Sequence, residues 1–279
     1  MKKSLQIATL FTGVFLLSFS SSAQTLRDTW RNIQRDERLS VLGSLGLSAY
    51  FGDVCESFDC MQLRPNAGIG AIFRITNHFS SKTEANYFRL YSDDTHESRN
   101  LGFRSDNVEL YTSVMFDLFA YQKNIRLRNV VSPYLFAGFG VAFYNPQAQY
   151  NGRWFNLRPL ETEGERYSIA TPIIPFGGGV RFTINRNFEF MLEGAYRVTF
   201  TDHLDDVSSV EHRPIESFSD PLARNIAHRY KDNYNPENGQ RGNPDRNDGY
   251  FLLQAKIRYT FVRQLSTYGT RPPGLRRKL

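Results

Sequence analysis

The sequence predicts an all-β protein: an eight-stranded antiparallel transmembrane outer-membrane β-barrel with long extracellular loops and short periplasmic turns. Three observations predict it. Apolar residues recur with a period of two in eight segments from Val41 onward. The clearest segments run to about eleven residues, the length a tilted strand needs to cross a bilayer. Tight and long connections alternate between them, as in barrels whose loops lie on one side of a membrane. A soluble sandwich or barrel would use the same periodicity with its apolar parity inside. Its strands, however, stay near five or six residues and its charges face water.

Before the barrel, Lys2 and Lys3 precede an apolar run from Ile7 to Phe19, and Ser20-Ser21-Ser22-Ala23 supplies small residues for a signal peptidase. Residues 1–23 therefore read as a secretory signal, with Gln24 opening the mature chain. Because Gln24 is not a cysteine, no lipoprotein anchor is expected. No later stretch reaches about 18 apolar residues, so no spanning helix is expected. Residues 24–40, with Trp30 and Ile33 among Arg27, Asp28, Arg31, Arg35, Asp36, Glu37 and Arg38, read as a short amphipathic helix on the periplasmic side.

The barrel is expected over 41–261. Its first strand is Val41 to Phe51 and its second Ala67 to Ile75, with Arg74 on the inward parity. The third, Ser80 to Tyr91, has the weakest alternation: Lys82, Glu84 and Asn86 against Thr83, Ala85 and Tyr87. The fourth is the cleanest, with Val108, Leu110, Thr112, Val114, Phe116 and Leu118 opposite Glu109, Tyr111, Ser113, Met115 and Asp117. Leu135 to Phe143 places Gly138 and Gly140 inward, and Ile174 to Ile184 places Gly177, Gly179 and Arg181 there. These glycines sit within strand patterns and open no helix, so they read as barrel-bending residues, not phosphate loops. The seventh strand sets Phe188, Phe190, Leu192, Tyr196 and Val198 against Glu189, Met191, Glu193, Ala195, Arg197 and Thr199. The eighth sets Phe251, Leu253, Ala255, Ile257, Tyr259 and Phe261 against Gln254, Lys256, Arg258 and Thr260.

Thr76 to His78 and Asn185 to Asn187 read as tight turns and Gln122 to Ser132 as a longer one, while 52–62, 92–104, 145–167 and 201–248 read as long outer loops. Aromatic residues such as Phe51, Tyr91, Phe143, Phe188, Phe200, Tyr259 and Phe261 fall near strand ends, where amphipathic rings favour the headgroup level.

The 279 residues carry a net charge of +6, but Lys2, Lys3, Arg263, Arg271, Arg276, Arg277 and Lys278 lie at the two ends. Without those seven cations the charge is −1, so the basic balance implies no nucleic-acid groove. Two Cys against 23 Phe and 15 Tyr exclude a disulfide-dense mini-scaffold.

An eight-strand barrel has an interior only wide enough for its own side chains. The inward parity supplies Arg74, Lys82, Arg181, Arg197, Lys256 and Arg258 against Glu84, Glu109, Asp117, Glu189 and Glu193. So nearly balanced a set reads as a paired, hydrogen-bonded interior charge network without an open pore.

Cys55 and Cys60 sit in the first long loop of an exported chain, so a disulfide is the leading reading. Metal ligation is second, because no further Cys or nearby His completes a tetrahedral set. Asp202, Asp205 and Asp206 with His203 could hold a cation, but carboxylates at a strand-to-loop transition more often cap turns, and no metal or other cofactor is assigned. His96 and Ser98 could serve an acyl hydrolase, yet neighbouring loop residues rarely form a triad, and no G-x-S-x-G, H-E-x-x-H or Walker motif occurs. The reading is non-enzymatic, with no small-molecule substrate.

Five strings occur in order: Arg99-Asn100-Leu101-Gly102-Phe103-Arg104-Ser105, Pro133-Tyr134-Leu135-Phe136-Ala137-Gly138-Phe139-Gly140, Leu160-Glu161-Thr162-Glu163-Gly164-Glu165, Ile174-Pro175-Phe176-Gly177-Gly178-Gly179 and Thr201-Asp202-His203-Leu204-Asp205-Asp206-Val207-Ser208. Together with Arg241-Gly242-Asn243-Pro244 they resemble the PorG family, outer-membrane barrels of the type IX secretion system of Bacteroidota. His203 and Glu161 depart from it, where Tyr and Gly are expected. The resemblance implies a non-enzymatic part of a protein-export machine, embedded in outer-membrane lipid, whose periplasmic face meets the ring of PorK and PorN. It transfers no contact residue.

The segment 262–279 is a basic periplasmic tail. Arg263, Arg271, Arg276, Arg277 and Lys278 read equally as a solvated end or as a docking arm for an acidic partner. The alternatives to a secretion-machine barrel are a stand-alone surface barrel with adhesive or binding loops and a lipid-modifying barrel enzyme.

Overall fold

The structure is a computed structural model that describes residues 37–55, 60–94, 99–164, 166–231, 235 and 241–262. The signal segment, residues 24–36, His96, Ser98 and the five cations of the tail lie outside the described residues.

Every predicted strand forms. β1 (Leu39–Phe51), β2 (Arg64–Arg74), β3 (Phe79–Ser92), β4 (Phe103–Asp117) and β5 (Val131–Phe143) are followed by a short hairpin of β6 (Pro146–Tyr150) and β7 (Arg153–Asn156). β8 (Ala170–Thr183), β9 (Phe188–Thr199) and β10 (Gly249–Thr260) complete the sheet. Eight strands close on themselves in the order β3-β2-β1-β10-β9-β8-β5-β4, with β3 pairing β4 to shut the circle. Each pairing in the circle is antiparallel. Such closure leaves no sheet edge and satisfies the backbone between strands, which a bilayer demands. The strands begin up to five residues earlier than expected. Leu39 and Ser40, assigned to the periplasmic segment, belong to β1, because their backbone pairs with β2 and β10.

Two of the long outer loops carry short elements of their own. The loop 145–167 contains the β6–β7 hairpin, which pairs with the outer end of β4 through Arg104 and Gln147. Asn151 and Gly152 at its tip both have positive φ (49° and 77°), the geometry an Asn-Gly hairpin turn requires. The loop 201–248 contains a short helix, α1 (Pro221–Ala227), opened by the Asp220 side chain accepting from the Leu222 backbone N–H, with Pro221 at its first turn.

The side-chain parity follows the sequence. Leu45, Ile69, Leu110, Val114, Leu135, Phe139, Leu253 and Ile257 point outward and are more than half exposed, an apolar wall that only lipid can cover. No helix among the described residues is long and apolar enough to cross a membrane. Inward glycines on β5 and β8 make room for large inward rings. A Cβ on Gly140 would lie 2.4 Å from the Tyr111 Cβ, and one on Gly179 2.6 Å from the Tyr134 hydroxyl. These glycines therefore fit the two tyrosines into the interior as well as allowing the wall to bend.

Candidate functional site

All eleven inward charges expected from the sequence are buried. At mid-height Lys82 Nζ meets Glu193 at 2.7 Å and Glu84 at 3.0 Å, while Lys256 Nζ meets Glu84 at 2.6 Å and Glu193 at 2.7 Å. Each cation thus bridges both carboxylates. Tyr134 donates to Glu193 at 2.9 Å and Tyr111 to Glu84, occupying further lone pairs. Above this square, Glu109 accepts from Arg197 Nη2 at 2.9 Å, Tyr250 at 2.5 Å and Asn86 at 2.8 Å. Below it, Arg258 meets Glu189 at 2.9 Å and Arg181 meets Asp117 at 2.9 Å. A buried charge is tolerated only when so partnered, and stripping one partner from such a pair costs about 3–5 kcal/mol.

Glu37 closes the lower end. Its carboxylate accepts from Tyr121 at 2.7 Å, Arg128 at 3.0 Å and Arg186 at 2.8 Å, and its carbonyl accepts from Arg74 Nη1 at 2.9 Å. The Arg74 guanidinium also lies over the Tyr121 ring. Sequence reading placed Glu37 in a short amphipathic helix, but its φ of 55° is not helical. Its position is set by three arginines, Arg74 at the end of β2 and Arg128 and Arg186 in separate turns.

The upper end is a cap built from all four outer loops over an apolar layer that includes Tyr50, Phe88, Phe103, Leu204 and Tyr250. Arg99 pairs with Asp94 at 2.8 Å and donates to the carbonyls of Asp53 at 3.1 Å and Arg241 at 2.5 Å, tying the first, second and fourth loops. Arg241 pairs with Glu163 of the third loop at 2.7 Å, and Glu163 also accepts from the backbone N–H groups of Ser208 and Ser209. Four of the strings quoted for the family resemblance, those containing Arg99, Glu163, Asp206 and Arg241, meet here. Cys55 and Cys60 form the expected disulfide, with Cα atoms 5.6 Å apart, in the first loop.

Beneath these clamps lies an acidic cluster. The Tyr50 hydroxyl is 2.6 Å from both Asp205 Oδ2 and Asp248 Oδ1. One phenolic proton serves only one of those contacts, so the other requires a proton on a carboxyl group. Burial and then the Asp248 charge raise Asp205 well above the usual carboxylate range, and burial with the Asp53 charge raises Asp248 to about 7 against hydrogen bonds from Tyr50 and Leu204. Burial, then the Asp248 and Asp53 charges, push Asp202 up to about 8, with Ser208 opposing. Burial raises Asp206 to about 6 against hydrogen bonds from Thr162 and Tyr167. Glu163 lies the other way: burial would raise it, but Arg241 and the Ser208 and Ser209 donors hold it below its ordinary value.

The turn-capping reading of the Thr201–Ser208 string holds for Asp205, whose Oδ1 accepts from the Val207 N–H at 2.9 Å. Asp202, Asp205 and Asp206 are nonetheless buried, not solvated. His203 packs its ring 4.8 Å from Tyr167, and no group of metal-ligating side chains occurs among the described residues. Sequence reading missed the clamps Arg99 and Arg241 as a pair, because they are 142 positions apart.

A family model described as a domain of unknown function (DUF6089) matches residues 31–268. No curated protein matches the sequence. Solved structures similar to the chain include Neisserial surface protein A, at 12% identity and a TM-score of 0.39, covering 80% of this chain and 97% of that one. OprG from Pseudomonas aeruginosa is similar at 8% identity and a TM-score of 0.41, with 82% and 99% covered. Ail of Yersinia pestis is similar at 11% identity and a TM-score of 0.38, with 80% and 98% covered.

Proposed function

The chain belongs to the DUF6089 family, a domain of unknown function, and we propose that it serves as a non-enzymatic outer-membrane barrel component of the type IX protein-secretion machinery. The observation that carries this reading is the filled barrel. The interior ion pairs and the loop cap occupy the space a porin keeps open, which suits an anchoring part better than a conduit. The ordered strings resembling the PorG family supply the machine. On this reading the lower rim, where Glu37 gathers Arg128 and Arg186, faces the periplasm and the PorK and PorN ring. The tail cations Arg263, Arg271, Arg276, Arg277 and Lys278 add a contact with an acidic surface, screened as salt rises.

The test is affinity purification of the tagged protein from detergent-solubilised outer membrane, beside a form truncated after Val262. β10 ends at Thr260, so the truncation leaves all eight barrel strands in place and the barrel should insert normally. Recovery of a periplasmic ring with the full chain, weakened by truncation, is the expected outcome. A clean monomer from the full chain would overturn the secretion-machine reading in favour of a stand-alone surface barrel.

A further inference from the structure

The outer face carries an open cleft of about 590 Å³, within the size range of small-ligand sites. The second outer loop forms one wall, the β6–β7 hairpin another, and α1 with the residues after it the third. Its chemistry differs from that of the acidic cluster nearby: among the described residues no carboxylate lines it. Arg224 and Arg229 are two arginines of its lining, beside the amide residues Asn100, Gln149, Asn151 and Asn225 and the aromatic residues Tyr150 and Tyr230.

Arg229 is held rigidly. Its Nε donates to the Asn100 carbonyl at 2.8 Å and its Nη2 to the Gly102 carbonyl at 2.8 Å, while the Asn100 amide donates back to the Arg229 carbonyl at 2.7 Å. Both of its acceptors are neutral, so its hydrogen bonds fix the charge in place without an ion pair, while the Asp206 and Asp94 charges offset it only from a distance. Burial and the Arg241 charge lower Arg229 to about 10, which leaves it cationic at neutral pH. Arg224 is exposed and makes no ion pair or side-chain hydrogen bond among the described residues. His228 engages Tyr230 through Nδ1.

Amide side chains that both donate and accept, beside aromatic faces, match the hydroxyls and apolar faces of a sugar ring. Two guanidinium groups, Arg229 held by backbone carbonyls and Arg224 exposed beside it, select a carboxylate or phosphate on that ring. We propose that this cleft binds an anionic saccharide, one carrying a uronate or phosphate group. The proposal goes beyond the secretion-machine reading and does not depend on it. The same chemistry is presented by lipopolysaccharide in the surrounding leaflet and by free acidic glycans.

The test is titration calorimetry on the full chain in nanodiscs, with trigalacturonate as probe and neutral maltotriose as control. Trigalacturonate should bind and maltotriose should not. Arg224→Gln, at an exposed position with no partner to lose, should weaken binding about tenfold or more, the effect of one charge-assisted hydrogen bond. Asn225→Ala, on the neighbouring exposed position, should weaken it less. Equal affinity for the neutral sugar, undiminished affinity in Arg224→Gln, or no binding by the intact protein would each overturn the proposal. Lipopolysaccharide included in the nanodisc separates the sources. Displacement of trigalacturonate supports a leaflet ligand, and persistence of binding supports a free glycan.

Discussion

Val114 and Ser113 are adjacent on β4 and face opposite solvents: Val114 is 55% exposed on the wall, and Ser113 is 2% exposed inside. Val114→Arg should therefore cost about 2–4 kcal/mol if it lies near the bilayer midplane, whereas Ser113→Ala should cost about 1 kcal/mol or less. Urea-dependent refolding into lipid vesicles measures both, and the reverse ranking would invert the parity of the whole wall. Glu161 offers a second test. It ends a short 3-10 turn with φ of 47°, a left-handed conformation that disfavours side chains and favours glycine. Its side chain meets Arg166, which is largely exposed, and such pairs contribute little. Glu161→Gly should leave the cap at least as resistant to limited proteolysis as the native loop, with a gain of about 1 kcal/mol. Faster cleavage would show that the Arg166 contact outweighs the backbone strain. The Gly expected here from the family resemblance has its physical reason in that φ.

Among the elements, the β6–β7 hairpin depends on its turn. Gly152 has φ of 77° with nothing within 4 Å of where a Cβ would sit, so Gly152→Ala meets strain and no clash. The variant should lose about 1–2 kcal/mol of local stability, read as faster amide exchange across 146–156 with β4 and β5 unchanged. Exchange unchanged in the hairpin would mean that the turn does not set it. The eight barrel strands were legible because each must show one face to lipid and the other to a polar interior, which writes a period of two over a dozen residues. Even the weak third segment obeyed it, since Lys82, Glu84 and Asn86 all turn inward. The hairpin and α1 were less legible because five, four and seven residues are too short for periodicity to stand out. Their punctuation was nevertheless present, in Asn151-Gly152 and in Asp220-Pro221. The interior charges could be named from parity. The clamps of the cap could not, because Arg99 and Arg241 acquire their roles only when four loops meet.

At the scale of the whole molecule, the acidic cluster makes the cap pH-dependent. Asp202, Asp205, Asp206 and Asp248 hold protons more tightly in the closed cap than in an open loop, where a carboxyl titrates near 3.9. The closed cap thus binds more protons than the open one, so its stability falls as pH rises. The contribution is complete below about pH 4 and is lost as pH passes through about 6 for Asp206 and about 8 for Asp202. Glu163, held low, works in the opposite direction only in acid. Protease susceptibility of 201–210 should rise between pH 6 and 8.5 while the barrel stays heat-modifiable, and a flat profile would remove the carboxyl protons from the account. The seam between the first and last strands has a different consequence. Ser40 and Thr260 share a hydrogen bond of 3.0 Å, and the Phe261 N–H donates to the Leu39 carbonyl at 3.1 Å. The chain therefore enters and leaves the barrel at adjoining points of one rim. A partner gripping the segments on both sides of the seam would be held bivalently, each grip presenting the other at an effective concentration in the millimolar range for short tethers. Removing either segment would forfeit that whole chelate advantage, so the two deletions should be strongly sub-additive in the partner's dissociation rate.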